Sequence, residues 1–388
     1  MPSFSTEDLI TWIDRLVDST REAEQEDHGV VEAEAAEQSP PESSPDCRSK
    51  DKKTETADDA PTSVASFPDR LLLSIARPAM ACEFEVLLNQ HQYSHASDRA
   101  LEALDVIGEQ ERVLSVYKSN SELSNLNRFG AKRAVGLSQG TLELLALAQS
   151  AHRWTNGAFD ITAGALSEAW GFSRRDGKKP KQEAIDKALS SVGSQFIRLG
   201  EESSSATLEH PEARVNPGGI GKGYALDQAA NHLWHYGIED FMIHGGLSSV
   251  TARGNRHSAN SDGGWKVSLK HPWRWEEHLG SIRLIDGALG TSGSGKQFFH
   301  FGGKRYSHII DPRTGWPAQG MMSVTVLCPS AAISDILATA LFVLGVEASR
   351  EFLEQNAAIG AILMFQQEKS GRQEIETHNL EPDVWQAR

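Results

Sequence analysis

The sequence predicts an α+β fold (mixed α/β), with largely antiparallel sheets flanked by helices. Three observations carry that expectation. Strand-like runs such as FMIHG, SSVTARG, GWKVSLKH and LGSIRLID follow one another between residues 241 and 286 with no helix between them. The helical stretches are irregularly placed, so there is no βαβα alternation of the kind that builds a doubly wound parallel sheet. The chain has 388 residues, 39% of them hydrophobic and 23% charged, which is ample for a large buried core.

The elements follow in order. STEDLITWIDRLVDS, within residues 1–20, reads as a short amphipathic helix. Ser5 or Thr6 can cap it, and Leu9, Trp12, Ile13 and Leu16 share one face. Residues 21–66 are rich in Glu, Ser, Pro and Ala, which by composition is an acidic disordered linker. Helix and linker together are either a solvated tail or a docking peptide, since Trp12 outside a core favours a partner. The folded domain is expected over residues 67–388.

Within that domain FEVLLN (84–89) reads as a strand and residues 96–115 as a helix with apolar positions at helical spacing. Residues 140–157 and 181–193 are further helices, closed by Gly157 and Gly193. FIRL and ATLE look like paired short strands. A Gly-rich loop enters a helix over 218–237, and the strand series noted above follows it. MMSVTVLCPS (321–330) is a strand, AAISDILATALFVLGV (331–346) a helix, and AIGAILMF (358–365) a last buried strand.

Charge narrows the function classes. The formal net charge is -15, but residues 1–66 hold 17 acidic and 6 basic residues, while the other 322 hold 36 and 32. The folded part is nearly balanced and lacks the basic field that nucleic-acid binding needs. Cys47, Cys82 and Cys328 show no CxxC or zinc spacing. Cys82 and Cys328 lie in apolar runs and are expected as buried thiols, in keeping with a reducing compartment. No basic start precedes an apolar run, no early cysteine offers a lipid site, and no stretch of 18 apolar residues occurs. The expected location is cytoplasmic, with no transmembrane segment.

Several stretches carry reactive groups. NPGGIGKGYALD (216–227) sets glycines and Lys222 where a loop enters a helix. That suits phosphate oxygens, although neither the Walker nor the GxGxxG spacing is present, and a tight turn reads equally well. ISDILATAL puts Asp335 and Thr339 one helical turn apart, two hard oxygen ligands on one face suited to Mg²⁺. NGAFDITAGAL ends a helix and is expected to expose Phe159 and Asp160 in a turn. GALGTSGSG (287–295) reads as a small flexible segment fit for close contact with a ligand, or as a hairpin loop. KRYSHIIDPRTG (304–315) holds a Pro/Gly turn with His308 three residues before Asp311. Taken alone, it is best read as a turn with a structural histidine.

In this order the motifs resemble the ApbE family of FAD:protein FMN transferases. ARPAMACEFEV, LSVYKSNSELSNLNR, GAFDITAGAL, NPGGIGKGYALD, GTSGSGKQFF, KRYSHIIDPRTGWP and SVTVLCPSAAISDILATALFVLG carry the likeness, over roughly residues 74 to 365. The resemblance implies an ApbE-like fold with an FAD cleft between subdomains. It implies Mg²⁺-dependent transfer of FMN from FAD to a Thr or Ser hydroxyl of an acceptor protein, with release of AMP. It makes Asp335, Thr339, the Gly219 carbonyl and the backbone of Ala338 metal ligands. His308 becomes the catalytic base, with Asp311 in its turn. Met80, Tyr117, Ala158, Phe159, Asp160, Asn216, Lys222 and Ile310 would line the FAD site, Tyr117 by stacking on the flavin.

Two positions depart from the family pattern. Asn216 stands where an Asp is usual, and HGGLSS (244–249) stands where NxGGD is usual, so Leu247 replaces a carboxylate. These departures keep two alternatives open: an FAD pyrophosphatase giving FMN and AMP, and a non-catalytic FAD-binding module that docks through its tail. The family's usual setting is periplasmic and membrane-tethered, which the start of this sequence does not match.

Overall fold

The computed structural model describes residues 71–388, apart from 175, 201–202, 259–262, 296 and 368–369. The readings of residues 1–20 and 21–66 therefore lie outside the described residues.

The first third runs β1 (Leu72–Ala79), β2 (Cys82–Asn89), α1 (Ala96–Leu114), α2 (Glu122–Phe129), β3 (Val135–Gly136) and α3 (Gln139–Trp154). Next come α4 (Gly164–Ala169), α5 (Gln182–Leu189), β4 (Ile197–Gly200), β5 (Ser205–Leu208) and α6 (Gly221–His235). The strand-rich part holds β6 (Phe241–Gly245), β7 (Ser249–Arg253), β8 (Trp265–Lys270), β9 (His278–Leu284) and β10 (Gly287–Gly293). It continues with β11 (Phe298–Phe301), β12 (Lys304–Ser307) and β13 (Met321–Cys328). The chain closes through α7 (Ala331–Leu344), α8 (Val346–Gln355), β14 (Gly360–Gln366), β15 (Gln373–His378) and β16 (Trp385–Ala387).

An eight-stranded sheet in the order β1-β2-β6-β7-β10-β13-β14-β15 is the backbone of the fold. Every pairing in it is antiparallel. Side-chain alternation sorts its two faces. Phe84, Val86 and Leu88 of β2 and Phe241 and Ile243 of β6 cluster with Leu104 and Ile107 of α1 and Leu226 and Leu233 of α6. Val324 and Val326 of β13 and Leu363 of β14 cluster with Ile333, Ile336, Leu337 and Leu341 of α7. On the opposite face Val250, Leu289, Leu327 and Ile362 meet Trp265, Leu269 and Ile282 of a small β8-β9-β16 sheet. Burial from both sides explains why β13 reads as a continuous apolar run, with all eight residues buried.

A separate lobe packs Leu166 of α4, Trp170 just after it, Phe172, Ile185 of α5, Tyr306 of β12 and Ile310 together. Trp170 Nε1 donates to the Gly315 carbonyl at 2.8 Å, which ties this lobe to the 311–316 turn. A cleft of about 610 Å³ opens between the lobe and the sheet.

Three expectations need correction. GALGTSG forms β10, a central strand paired with β7 and β13, where a flexible loop was expected. Small residues are needed there because α7 lies directly on the strand. A Cβ on Gly290 would stand 2.5 Å from the Ser334 carbonyl carbon and 2.6 Å from the Asp335 nitrogen. Phe159 and Asp160, expected to be exposed, are 4% and 6% accessible. Cys328 is buried as expected, whereas Cys82 is only half-buried.

Candidate active site

The N-terminus of α7, one turn before Asp335, is anchored to α6. Ser330 caps it, and Asp227 of α6 accepts from Ser330 Oγ at 2.7 Å and from the backbone N–H groups of Ala331 and Ala332 at 2.8 and 2.9 Å. Burial pushes the Asp227 carboxyl up to about 6, against those hydrogen bonds.

One turn further on, Asp335 faces the cleft. Its carboxylate accepts from Ser249 Oγ at 2.8 and 3.1 Å and from the Gly223 N–H at 2.8 Å. Burial holds this carboxyl above the usual carboxylate range, opposed by the Lys222 ammonium, the Ser249 hydroxyl and the Gly223 N–H. Lys222 Nζ donates to Ser248 Oγ and lies 3.3 Å from Ser249 Oγ, so one serine pair bridges cation and anion.

Thr339 follows a helical turn later, as its spacing from Asp335 predicts. Its Oγ1 lies 2.9 Å from Ser292 Oγ of β10 and 3.1 Å from the Asp335 carbonyl. Gly219 closes the same corner. A Cβ there would sit 3.3 Å from Thr339 Oγ1 and 3.1 Å from the Phe159 ring, so no larger residue fits without displacing one of them.

Among the described residues no group of three or more His, Cys, Asp or Glu gathers as a metal cage. The donor set is one buried carboxylate, one hydroxyl and a backbone corner kept open by Gly219. Those are hard oxygen donors, few in number, and they fit an ion that keeps its waters and takes substrate phosphates as further ligands, as Mg²⁺ does.

The facing wall carries His308. Its backbone N–H donates to the Gln297 carbonyl at 3.0 Å, and its Nδ1 lies 3.3 Å from the same oxygen. The Phe172 ring meets the imidazole edge-on at a centroid distance of 6.5 Å. A neutral ring that donates through Nδ1 carries its basic lone pair on Nε2.

At the floor, Asp160 accepts from Thr162 N at 2.8 Å, Thr162 Oγ1 at 2.6 Å, and Ser194 N and Oγ at 3.0 Å. His152 Nδ1 stands 2.8 Å from Oδ2, the oxygen that also accepts from Ser194 N. Burial raises the Asp160 carboxyl, but the hydrogen bonds from His152 and Thr162 outweigh it and hold it below its ordinary value. The same hydrogen bond raises His152. Asn216 Oδ1 accepts from the Gly218 N–H at 3.0 Å and so shapes the loop that leads into α6.

The cleft thus brings together Ala158, Phe159, Asp160, Asn216, Gly219, Lys222, His308, Ile310, Asp335 and Thr339. Four other expected site residues stand outside its lining. Met80 sits in the two-residue β1–β2 turn, where its φ of 48° and the 60° of Ala81 place both in the left-handed region. Its side chain packs on the α1–α6 core. Tyr117 is 74% exposed. Ala338 is fully buried against the α7 core. Asp311 is committed to its own turn: its carboxylate pairs with Arg313 at 2.8 to 2.9 Å and its carbonyl accepts from the Gly315 N–H at 2.8 Å.

Residues that sequence reasoning did not single out complete the site. Ser248, Ser249 and Ser292 hold Lys222, Asp335 and Thr339. Ser248 and Ser249 belong to the HGGLSS departure, so the signal was present and was read as a loss rather than a substitute. Trp275 and Leu247, 40% and 62% exposed, also line the cleft. No helix among the described residues is long and apolar enough to cross a membrane.

Comparison with known proteins gives the family. The ApbE family model matches residues 80–363. A curated Haemophilus influenzae protein named FAD:protein FMN transferase is 30% identical over 295 residues, 74% of this chain and 84% of that protein. An Escherichia coli K12 protein of the same name is 31% identical, over 63% of this chain and 70% of that protein. The solved flavin transferase ApbE from Vibrio cholerae superposes with a TM-score of 0.70 at 27% identity, covering 80% of this chain and 97% of that one. The Thermotoga maritima ApbE structure gives the same TM-score at 25% identity, covering 78% and 96%. With the match spanning the cleft and both of its walls, the chain belongs to the ApbE family.

Proposed function

We propose that this transferase moves FMN from FAD to a Thr or Ser hydroxyl of an acceptor protein, in a Mg²⁺-dependent reaction that releases AMP. The curated relatives carry the name FAD:protein FMN transferase, and FAD is accordingly the substrate. The observation that carries the reading is the two-walled cleft. Asp335, Thr339 and Gly219 form a hard-oxygen corner on one wall, and the imidazole of His308 stands on the other.

In the reaction the acceptor oxygen bonds to the FMN-side phosphorus and the anhydride P–O bond breaks. Its electron pair leaves with AMP, and the hydroxyl proton passes to His308 Nε2. Bound at Asp335, Thr339 and the Gly219 carbonyl, Mg²⁺ would supply charge neutralisation for the pyrophosphate. Lys222, held by Ser248 and Ser249, adds a fixed positive charge beside the same corner. Asp160 and the Asn216 loop hold the floor and fix where the bound dinucleotide rests. Asp311 aims His308 by holding the turn that follows it.

The test is single-turnover transfer to an acceptor domain. His308→Ala is expected to slow transfer roughly 10²- to 10⁴-fold, the usual weight of a positioned base. FAD binding should be kept. Unchanged transfer in His308→Ala removes the base assignment.

A further inference from the structure

The aim of His308 is set by one peptide carbonyl. The Gln297 oxygen accepts from the His308 backbone N–H at 3.0 Å and lies 3.3 Å from its Nδ1. Whatever orients that carbonyl therefore selects which imidazole nitrogen carries the proton. Gln297 belongs to the connection between β10 and β11, outside the pairings of either strand, so no sheet ladder fixes it.

Arg305 grips the chain on both sides of Gln297. Phe299 and Tyr306 turn into the lobe, and alternation puts Phe298 and Arg305 on the other face of the β11–β12 hairpin as diagonal neighbours. The Arg305 guanidinium carbon lies 3.5 Å from the centre of the Phe298 ring and 4.8 Å from that of Trp273. Its Nη2 donates to the Ser294 carbonyl at 2.6 Å. Ser294 is itself held. Its N–H donates to the Met322 carbonyl of β13 at 3.1 Å, and its Oγ accepts from Trp273 Nε1 at 3.0 Å.

Trp273 comes from the β8–β9 connection, which lies hard against this segment: a Cβ on Gly295 would stand 1.9 Å from the Pro272 carbonyl oxygen. One guanidinium thus joins the hairpin that leads into His308, the end of β10 and the β8–β9 connection. No carboxylate accounts for this arginine. Among the described residues it makes no ion pair, and its Nε is buried without a hydrogen-bond partner. Its hydration is given up for planar stacking and one charge-assisted bond, contacts that fix direction as well as distance.

We propose that Arg305 is a positioning residue for His308. By holding Ser294 and Phe298 it fixes the Gln297 carbonyl between them, which keeps the imidazole proton on Nδ1 and leaves the Nε2 lone pair free for the acceptor hydroxyl. The tautomer claim stands on the contacts alone. Its effect on rate rests on the reading of His308 as the base, and the experiment reads the two separately.

Long-range ¹H–¹⁵N spectra of the full chain labelled with ¹⁵N-histidine read the tautomer, recorded well above pH of about 6.5 so that imidazole is neutral. The His308 signal is the one missing from His308→Gln. The unaltered chain is expected to hold the Nδ1–H form. Arg305→Met, which keeps the aliphatic stem, is expected to shift His308 toward the Nε2–H form that neutral imidazole prefers in water. Arg305→Lys keeps the charge without the planar fork and is expected to shift it likewise. Single-turnover transfer should fall with the tautomer, by up to about 10²-fold, while FAD affinity stays native. Trp273→Leu removes one of the two stacked rings and should give a smaller shift of the same sign, which keeps the test decisive if Arg305→Met does not fold. A native His308 tautomer in Arg305→Met, or in Trp273→Leu where the first does not fold, overturns the proposal whatever the rate does, as does an unaltered chain already in the Nε2–H form. Loss of the Nδ1–H form with a native transfer rate supports the positioning and overturns the base assignment instead.

Discussion

Gly290→Ala is the sharpest test of how the fold places the candidate metal ligand. Gly290 lies in β10 directly under α7, and an added Cβ would stand 2.5 Å from the Ser334 carbonyl carbon and 2.6 Å from the Asp335 nitrogen. Relief to ordinary contact near 3.4 Å requires about 0.9 Å of separation between strand and helix. Both partners are backbone, so no side chain can swing aside. The displacement therefore falls on Asp335 itself and stretches its bonds to Ser249 and the Gly223 N–H. Overpacking of this kind costs about 1–3 kcal/mol, which lowers Tm by roughly 2–6 °C in a domain of this size. Misplacing a catalytic group by about 1 Å costs on the order of 10²-fold in rate. Differential scanning calorimetry and single-turnover transfer on one preparation read both effects. Native Tm together with native rate in Gly290→Ala would refute the claim that direct strand–helix contact sets the position of Asp335.

Other outcomes follow from the same contacts. Asp335→Asn keeps the shape but removes the charge, and transfer is expected to fall by about 10³-fold with loss of the proposed Mg²⁺ dependence, read by metal titration. Trp170→Phe removes the 2.8 Å bond to the Gly315 carbonyl. It should cost roughly 1–3 kcal/mol by leaving that oxygen unpaired, seen in denaturant unfolding. The His152–Asp160 pair sets a pH window. Its Asp160 part is lost as pH falls below the ordinary carboxylate range through the depressed Asp160 value, and its His152 part is lost as pH rises above about 6.5 through the raised His152 value. His152→Gln should flatten the alkaline limb of stability against pH and weaken the acid limb as well, because the His152 bond is the largest of those that depress Asp160.

Much of the sheet and one wall of the site were legible in the sequence because both rest on local periodicity. Asp335 and Thr339 are one turn apart in an unmistakable apolar helix, and the Gly-rich entry to α6 announces itself by composition. What was not legible depends on contacts remote in sequence. GALGTSG looks like a loop because small residues favour turns, yet they are required in β10 by the close approach of α7, some 45 residues later. Asp160 looks exposed in a local turn but is buried by Ser194, 34 positions on. β15 and the β11–β12 hairpin mix charged and apolar residues on edge strands, so neither shows a clean alternation. Met80, Tyr117 and Ala338 were assigned to the site through family resemblance alone, and they stand outside the cleft lining.

The central claim is that the cleft transfers FMN to a protein hydroxyl. The most direct measurement is the intact mass of a Thr-bearing acceptor domain incubated with the full chain, FAD and Mg²⁺, with AMP quantified in the same sample. The account predicts one FMN gained per acceptor and AMP released in equal amount. AMP released with no gain in acceptor mass, or intact FAD retained with neither product, would contradict it.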